Sequence, residues 1–213
     1  MDKNIKIAGK MTIKDWEKFR MKLDYKNDAN WDLAYSLFYK RIKLRYLNPI
    51  QAIVDLDFKN GEGFAIVSLQ CSLIETIECF FDGWIYDFAT NGAKKYNKIL
   101  GVEKNNNEGI FRNFFETRIP FKNVKIDGVE FYRQVRCALL HETQTKSSWK
   151  IISKKEKPFY YEQDGLYIIN RNEFQKAIEK VIKQYKQNIL FGPDKENLRK
   201  YFIEKIDNIC KIS

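Results

Sequence analysis

Residues 63–81, GFAIVSLQCSLIETIECFF, form the longest apolar run in the chain and limit its fold more than any other segment. The run is far longer than an ordinary strand, so it reads as a helix. Gln70, Glu75 and Glu78 interrupt it, which makes it a poor membrane span and a good buried helix. A helix that is hydrophobic almost all round needs neighbours on every side, so it belongs at the centre of a bundle. Its polar positions Ser68, Ser72 and Glu75 fall on one narrow stripe at intervals of four and three. A carboxylate in the middle of such a helix is costly unless it is paired. Glu75 therefore either finds a cation or faces a polar seam.

The other segments supply that bundle. TIKDWEKFRMKL (12–23) carries Thr12 as a cap and apolar Ile13, Trp16, Phe19 and Leu23 at helical spacing. Residues 28–47 continue with Trp31, Ala34, Phe38, Ile42 and Tyr46 until Pro49 interrupts the pattern. The stretch 50–58 is short enough to be strand or helix. Residues 92–109 read as a polar, mobile connection, and 110–119 and 128–143 as further helices. The period then changes. WKIIS (149–153), PFYYE (158–162) and LYIIN (166–170) are β-rich, with an Asp-Gly turn between the last two. Amphipathic helices over 171–189 and 193–212 close the chain. The expected fold is mainly α, a helical bundle with a small β-hairpin or three-stranded ribbon near 149–170. At 213 residues it reads as one domain, with N-terminal helices in 1–60, a core in 61–143, the β insertion and C-terminal helices in 171–213.

The net charge is +10, and its distribution matters more than its sum. Residues 61–92 hold five acids and no lysine or arginine, whereas 143–213 hold 15 basic residues against 9 acidic, and 1–60 hold 13 against 8. Basic flanks around an acidic centre suit a polyanion, nucleic acid first; a lysine-rich solubilising surface has the same composition. The start, MDKNIKIAGKMTIKDW, has no apolar core behind its lysines, so no signal peptide is expected. Cys71, Cys79, Cys137 and Cys210 are scattered and form no CxxC pair, which argues against a zinc site. Small buried thiols in a reducing cytoplasm are the simpler account.

The only histidine, His141, lies five positions after Arg136 in RCALLH (136–141). Metal-free RNA cleavage needs a base for the 2′-hydroxyl proton, an acid for the departing 5′-oxygen and a cation for the crowded phosphate. Histidine can do either proton job near neutral pH, and a permanently charged, fork-shaped arginine suits the phosphate. An arginine followed after four to six residues by a histidine resembles the signature of the HEPN superfamily. The resemblance covers 63–143, and Cys137 stands where that family often has asparagine. It implies a helical bundle and a metal-independent endoribonuclease of a toxin–antitoxin or antiviral defence system, with no cofactor, in a chain that the cysteine usage already places in the cytoplasm as an expectation. It also implies a homodimer with one composite site, with RNA and an antitoxin or defence partner as binding partners. Arg136 and His141 would then be the catalytic pair.

Five residues at about 100° each set Arg136 and His141 about 140° apart around an ideal helix. They share one cleft only if the arginine stem curls, the helix ends between them, or a second subunit supplies the complement. Gln134 shares the stripe of His141, and Glu142 adjoins it. Glu75 is the natural partner of Arg136 or His141. As a plain helix terminus, His141 would instead cap the last carbonyls and favour the dipole. In TQTKSSWK (143–150), Lys146 and Lys150 are candidates for phosphate contacts; Trp149 either stacks a base or packs into the core. Tyr160 and Tyr161 beside Lys154, Lys155 and Lys157 form a second aromatic and basic patch, or a solvated hairpin rim. The alternative function is a non-catalytic helical module that binds nucleic acid, a nucleotide or a partner protein.

Overall fold

The computed structural model describes residues 2–56, 61–87, 94–104, 107–146 and 148–211. The protein is mainly helical, 62% helix and 12% strand. Along the chain run β1 (Lys6–Ala8), β2 (Met11–Thr12), α1 (Ile13–Arg20), α2 (Trp31–Ile42), α3 (Asn48–Leu56) and α4 (Glu62–Asp82). They are followed by β3 (Ile85–Asp87), β4 (Lys94–Asn97), β5 (Val102–Lys104), α5 (Glu108–Thr117), α6 (Gly128–Phe131) and α7 (Ala138–Glu142). Strands β6 (Trp149–Ile152), β7 (Tyr160–Gln163) and β8 (Leu166–Asn170) precede α8 (Arg171–Phe191) and α9 (Lys195–Cys210). Two compact units result. One takes Met1–Leu47, Thr76–Asn105 and Lys183–Ser213, the other Asn48–Glu75 and Asn106–Ile182, so α4 and α8 each contribute to both.

In the first unit α1 starts as its sequence asks. The Thr12 hydroxyl accepts from the Asp15 N–H, and the Asp15 carboxylate accepts from the Thr12 N–H at 2.9 Å, a reciprocal cap. The core is aromatic: Phe38 lies 4.8 Å from both Phe80 and Tyr185, and Trp16 and Trp31 pack edge-on against Phe202. Burial of Trp16 is completed by a 2.7 Å hydrogen bond from its indole to Asp207, which also takes the Arg20 guanidinium. Residues 92–109 depart from the polar-connection reading. Lys94–Asn97 pairs antiparallel with both Ile85–Asp87 and Val102–Lys104; residues 92–93 and 105–106 lie outside the described residues. Strand β4 escaped sequence reading because its described buried positions are polar, Lys95 at 2% and Asn97 at 0% exposure.

Pro49 does not end a helix. A π-helical turn at Lys43–Leu47 links α2 to α3, so the helical path passes through the proline. Proline lacks an N–H and crowds the carbonyl four residues back. The wider i→i+5 turn just before it supplies a place in the ladder where that loss is tolerated. Residues 50–56 are thus helix; 57 and 58 lie outside the described residues.

The second unit is built around Phe111, Phe114, Phe115, Phe121, Phe131 and Phe174, all essentially sealed from solvent. Its sheet has the order β6-β8-β7, with β6 parallel to β8 and β7 antiparallel to it. A three-stranded element therefore stands where the β-rich letters put it. Helix α4 is long and apolar enough to cross a membrane by length and composition alone, and 61% of its apolar window is buried inside the protein.

Candidate functional site

The segment carrying Arg136 and His141 begins at Asp127, whose carboxylate accepts from the N–H groups of Val129 and Glu130 at 2.8 and 3.0 Å. Gly128 allows the start of α6 to touch α5, because a Cβ there would sit 2.5 Å from the Arg112 backbone. Phe131, Val135, Ala138 and Leu139 form the buried face. Between α6 and α7 the chain is a π-helix from Tyr132 to Cys137, so Arg136 lies in the wide turn and His141 in the α-helical last turn. Sequence periodicity read one uniform helix here; π-turns frequently accompany functional sites.

Arg136 and Glu75 come together. The Arg136 Nε donates to Glu75 Oε1 at 2.9 Å, with the two side chains 20% and 15% exposed. The Tyr132 ring lies 5.5 Å from the guanidinium carbon, a packing partner that an i, i+4 count could have found. Burial works against the charge, but the Glu75 carboxylate and its hydrogen bond outweigh it, so the guanidinium is held more firmly protonated than usual. Burial, followed by the charge of Glu75, pushes the neighbouring Cys71 thiol well up. One guanidinium N–H is thereby committed. The terminal nitrogens of Arg136 have no acceptor among the described residues and are not closed off from solvent. The Ser68–Ser72–Glu75 stripe is at least partly exposed throughout, so the polar seam and the cation partner both exist.

His141 stands apart from that pair. Its imidazole is exposed and makes no hydrogen bond or ion pair with any described residue, so it does not cap the last carbonyls by bonding to them. Thr143 ends the helix in the left-handed conformation with φ +59°. Glu142 pairs with Lys146 rather than with the imidazole. Gln134 uses its backbone carbonyl to accept from the Lys146 N–H at 2.9 Å, which folds 143–146 back along the helix. Lys150 is exposed on β6. Trp149 is 4% exposed, wedged among Phe131, Tyr160 and Tyr167, so it offers no face to a base. Ring burial in the aromatic core wins there over stacking on a ligand. Of the second patch, Lys154, Lys155 and Lys157 are exposed, Lys157 sits 5.7 Å over the Tyr161 ring, and Tyr160 is buried.

A cleft of about 400 Å³ in the same unit went unread in the sequence. Gly61, Glu62, Gly63, Phe64, Ile151, Ile152, Ser153 and Arg171 line it. Arg171 pairs with Glu62 at 2.8 Å, both side chains under a tenth exposed. The Glu62 pKa lies below the usual carboxylate value because a hydrogen bond from its own backbone, followed by one from Arg171, favours the charged form. Gly63 is a signal in hindsight, since a Cβ there would press on Ile151 at 3.1 Å. Among the described residues no group of three or more His, Cys, Asp or Glu is arranged to hold a metal ion.

The assembled chemistry is a tethered guanidinium with open N–H groups, an exposed imidazole five residues on, the exposed Lys150 on the adjoining strand, and Lys146 on the turn, paired with Glu142. No protein-family model matches this chain, and neither the curated proteins nor the solved structures contain a match to it.

Proposed function

We propose that this chain is a HEPN-like, metal-independent endoribonuclease that cleaves RNA through attack by the 2′-hydroxyl, acting in the cytoplasm within a toxin or phage-defence system. The observation that carries this reading is Arg136: Glu75 anchors its Nε while its terminal nitrogens remain open to an acceptor. A phosphate is such an acceptor, and a guanidinium held at one edge meets it with little loss of side-chain freedom. His141 is the proton-transfer group, supported by its exposed, unpartnered ring. The neutral imidazole takes the 2′-hydroxyl proton as the oxygen attacks phosphorus; an imidazolium gives a proton to the departing 5′-oxygen, leaving a cyclic phosphate and a free hydroxyl. Two proton jobs and one histidine per chain favour a homodimer in which each copy contributes one imidazole. Lys146, Lys150 and Lys154 provide sequence-independent attraction for the RNA backbone.

RNA cleavage in EDTA by the purified protein tests this, with Arg136→Ala and His141→Ala each expected to abolish it while the far-ultraviolet spectrum holds; His141→Ala should also keep the melting temperature, whereas Arg136→Ala leaves Glu75 unpaired and should melt lower. Cleavage that survives His141→Gln, or that needs a divalent ion, overturns the reading. The Arg136–Glu75 ion pair also favours a second reading, a non-catalytic module that binds nucleic acid or a partner protein and in which Arg136 is structural. That reading requires RNA or partner binding that is unchanged by His141→Ala.

A further inference from the structure

The first unit carries an apolar surface that none of the preceding chemistry uses. Ala8, Lys10, Met11, Phe19, Leu33, Ser36, Leu37 and Lys40 line one groove of about 320 Å³. Leu33 also borders a second concavity of about 450 Å³, where Leu190 and Phe191 form the apolar wall. Leu33 is therefore a ridge between two hollows. It is 59% exposed and Phe191 is 75% exposed, both among the most exposed large apolar side chains of the described residues. A continuous apolar strip with a polar rim is characteristic of a surface that another protein covers.

The charge around this strip selects the partner. Lys10 and Lys40 stand on the rim of the first groove, and their ammonium groups make no ion pair or hydrogen bond with any described residue. Lys40 is held there by packing, because its stem lies across the turn at Gly9, where a Cβ would collide with Lys40 Cε. The two acids at the second hollow are already compensated: Asp28 by Lys195 and Arg199, Asp32 by Lys186. The rim is thus net positive. A second copy seated on this strip would set its own lysines against Lys10 and Lys40, which disfavours self-association through this surface.

We infer that this strip docks an acidic amphipathic helix of a partner protein, its apolar residues straddling Leu33 and its carboxylates meeting Lys10 and Lys40. Helix-in-groove recognition uses anchors at i, i+3, i+4 and i+7, and two hollows separated by one ridge accept such a row. The surface lies in a different unit from Arg136 and His141, so its occupancy can be tested without reference to RNA cleavage.

The test is fluorescence anisotropy of the full chain with a labelled synthetic helical peptide of about 18 residues, ~27 Å long, bearing a leucine stripe and glutamates on the remaining face. Saturable binding is expected. It should weaken at least tenfold for Leu33→Asp and for Lys10→Glu combined with Lys40→Glu, all exposed positions whose variants should keep the wild-type circular dichroism. A scrambled peptide of the same composition and a lysine-for-glutamate version should bind at least tenfold more weakly. Equal binding of the scrambled peptide, or variants that bind as well as wild type, overturns the inference. So does a single-stranded oligoribonucleotide that depends on Lys10 and Lys40 while the acidic peptide does not bind.

Discussion

Two arginines, one in each unit, show how differently the same side chain can be buried. Arg199 in the first unit is completely enclosed. Its Nε donates to the Ile189 carbonyl at 3.0 Å, and its terminal nitrogens reach the carbonyls of Tyr25, Asn27 and Leu190 and the carboxylate of Asp28, with Trp31 stacked 5.0 Å away. Every edge of the fork is used. Arg136 in the second unit is also packed against an aromatic ring and a carboxylate, yet only its Nε is engaged. A guanidinium with all its donors spent is a staple for the chain around it. One with donors to spare is available to something that arrives from solution.

That contrast can be broken by experiment. Removing the Arg199 side chain strands several carbonyls, each at about 1 kcal/mol. Arg199→Ala should therefore lose about 3 kcal/mol of stability in urea unfolding while leaving the cleavage rate per folded molecule unchanged. The reverse should hold at the other end of the comparison. His141→Ala should lower the cleavage rate by about 10²–10⁴-fold with a stability change inside about 0.5 kcal/mol, since the ring is exposed and unbonded. A smaller effect is expected of Glu75→Gln, which keeps the shape of the tether but weakens its charge-assisted hydrogen bond. The rate should fall about tenfold, with the KM for RNA rising as Arg136 loses its aim. If Glu75→Gln instead raises activity, the ion pair restrains Arg136 rather than presenting it.

The smallest effect is a pH dependence. The folded-state pKa of Glu62 lies below its unfolded value, so its stabilising contribution is complete above the unfolded pKa and is lost as pH falls through the folded one. Glu62→Gln should accordingly be less stable than wild type near neutrality, and the two should converge in acid. Melting curves recorded from pH 7 down to pH 3 check the convergence. A gap that is constant over that range would mean that Arg171 does not depend on the charge of Glu62.

Much of this was legible where a residue has one good use. Thr12 ahead of an apolar-periodic run reads as a cap, and the cap is there, made reciprocal by Asp15. A carboxylate at position 75 of an apolar helix called for a cation or a polar seam, and it has both, Arg136 being the cation. Burial of Trp149 was one of two readings, and the ring cluster decides it. Other features left no trace in letter patterns. The β4 strand hides Lys95 and Asn97 behind a polar sequence, and neither π-turn can be seen by counting periods, because both arise from which carbonyl each N–H selects. The open donors of Arg136 were equally invisible, since they depend on which nitrogen Glu75 captures.

The wide turn at Tyr132–Cys137 holds one more residue than an α-helical turn would need. Closing that ladder in the ordinary α register with every residue kept would swing everything downstream by about 100° about the axis. The imidazole at 141 would then occupy a neighbouring sector, and Leu139 and Ala138 would rotate out of the core they now fill. The wide turn thus sets the bearing of the histidine, so a substitution that tightens it, away from the ring, should disarm the imidazole as surely as replacing the ring itself.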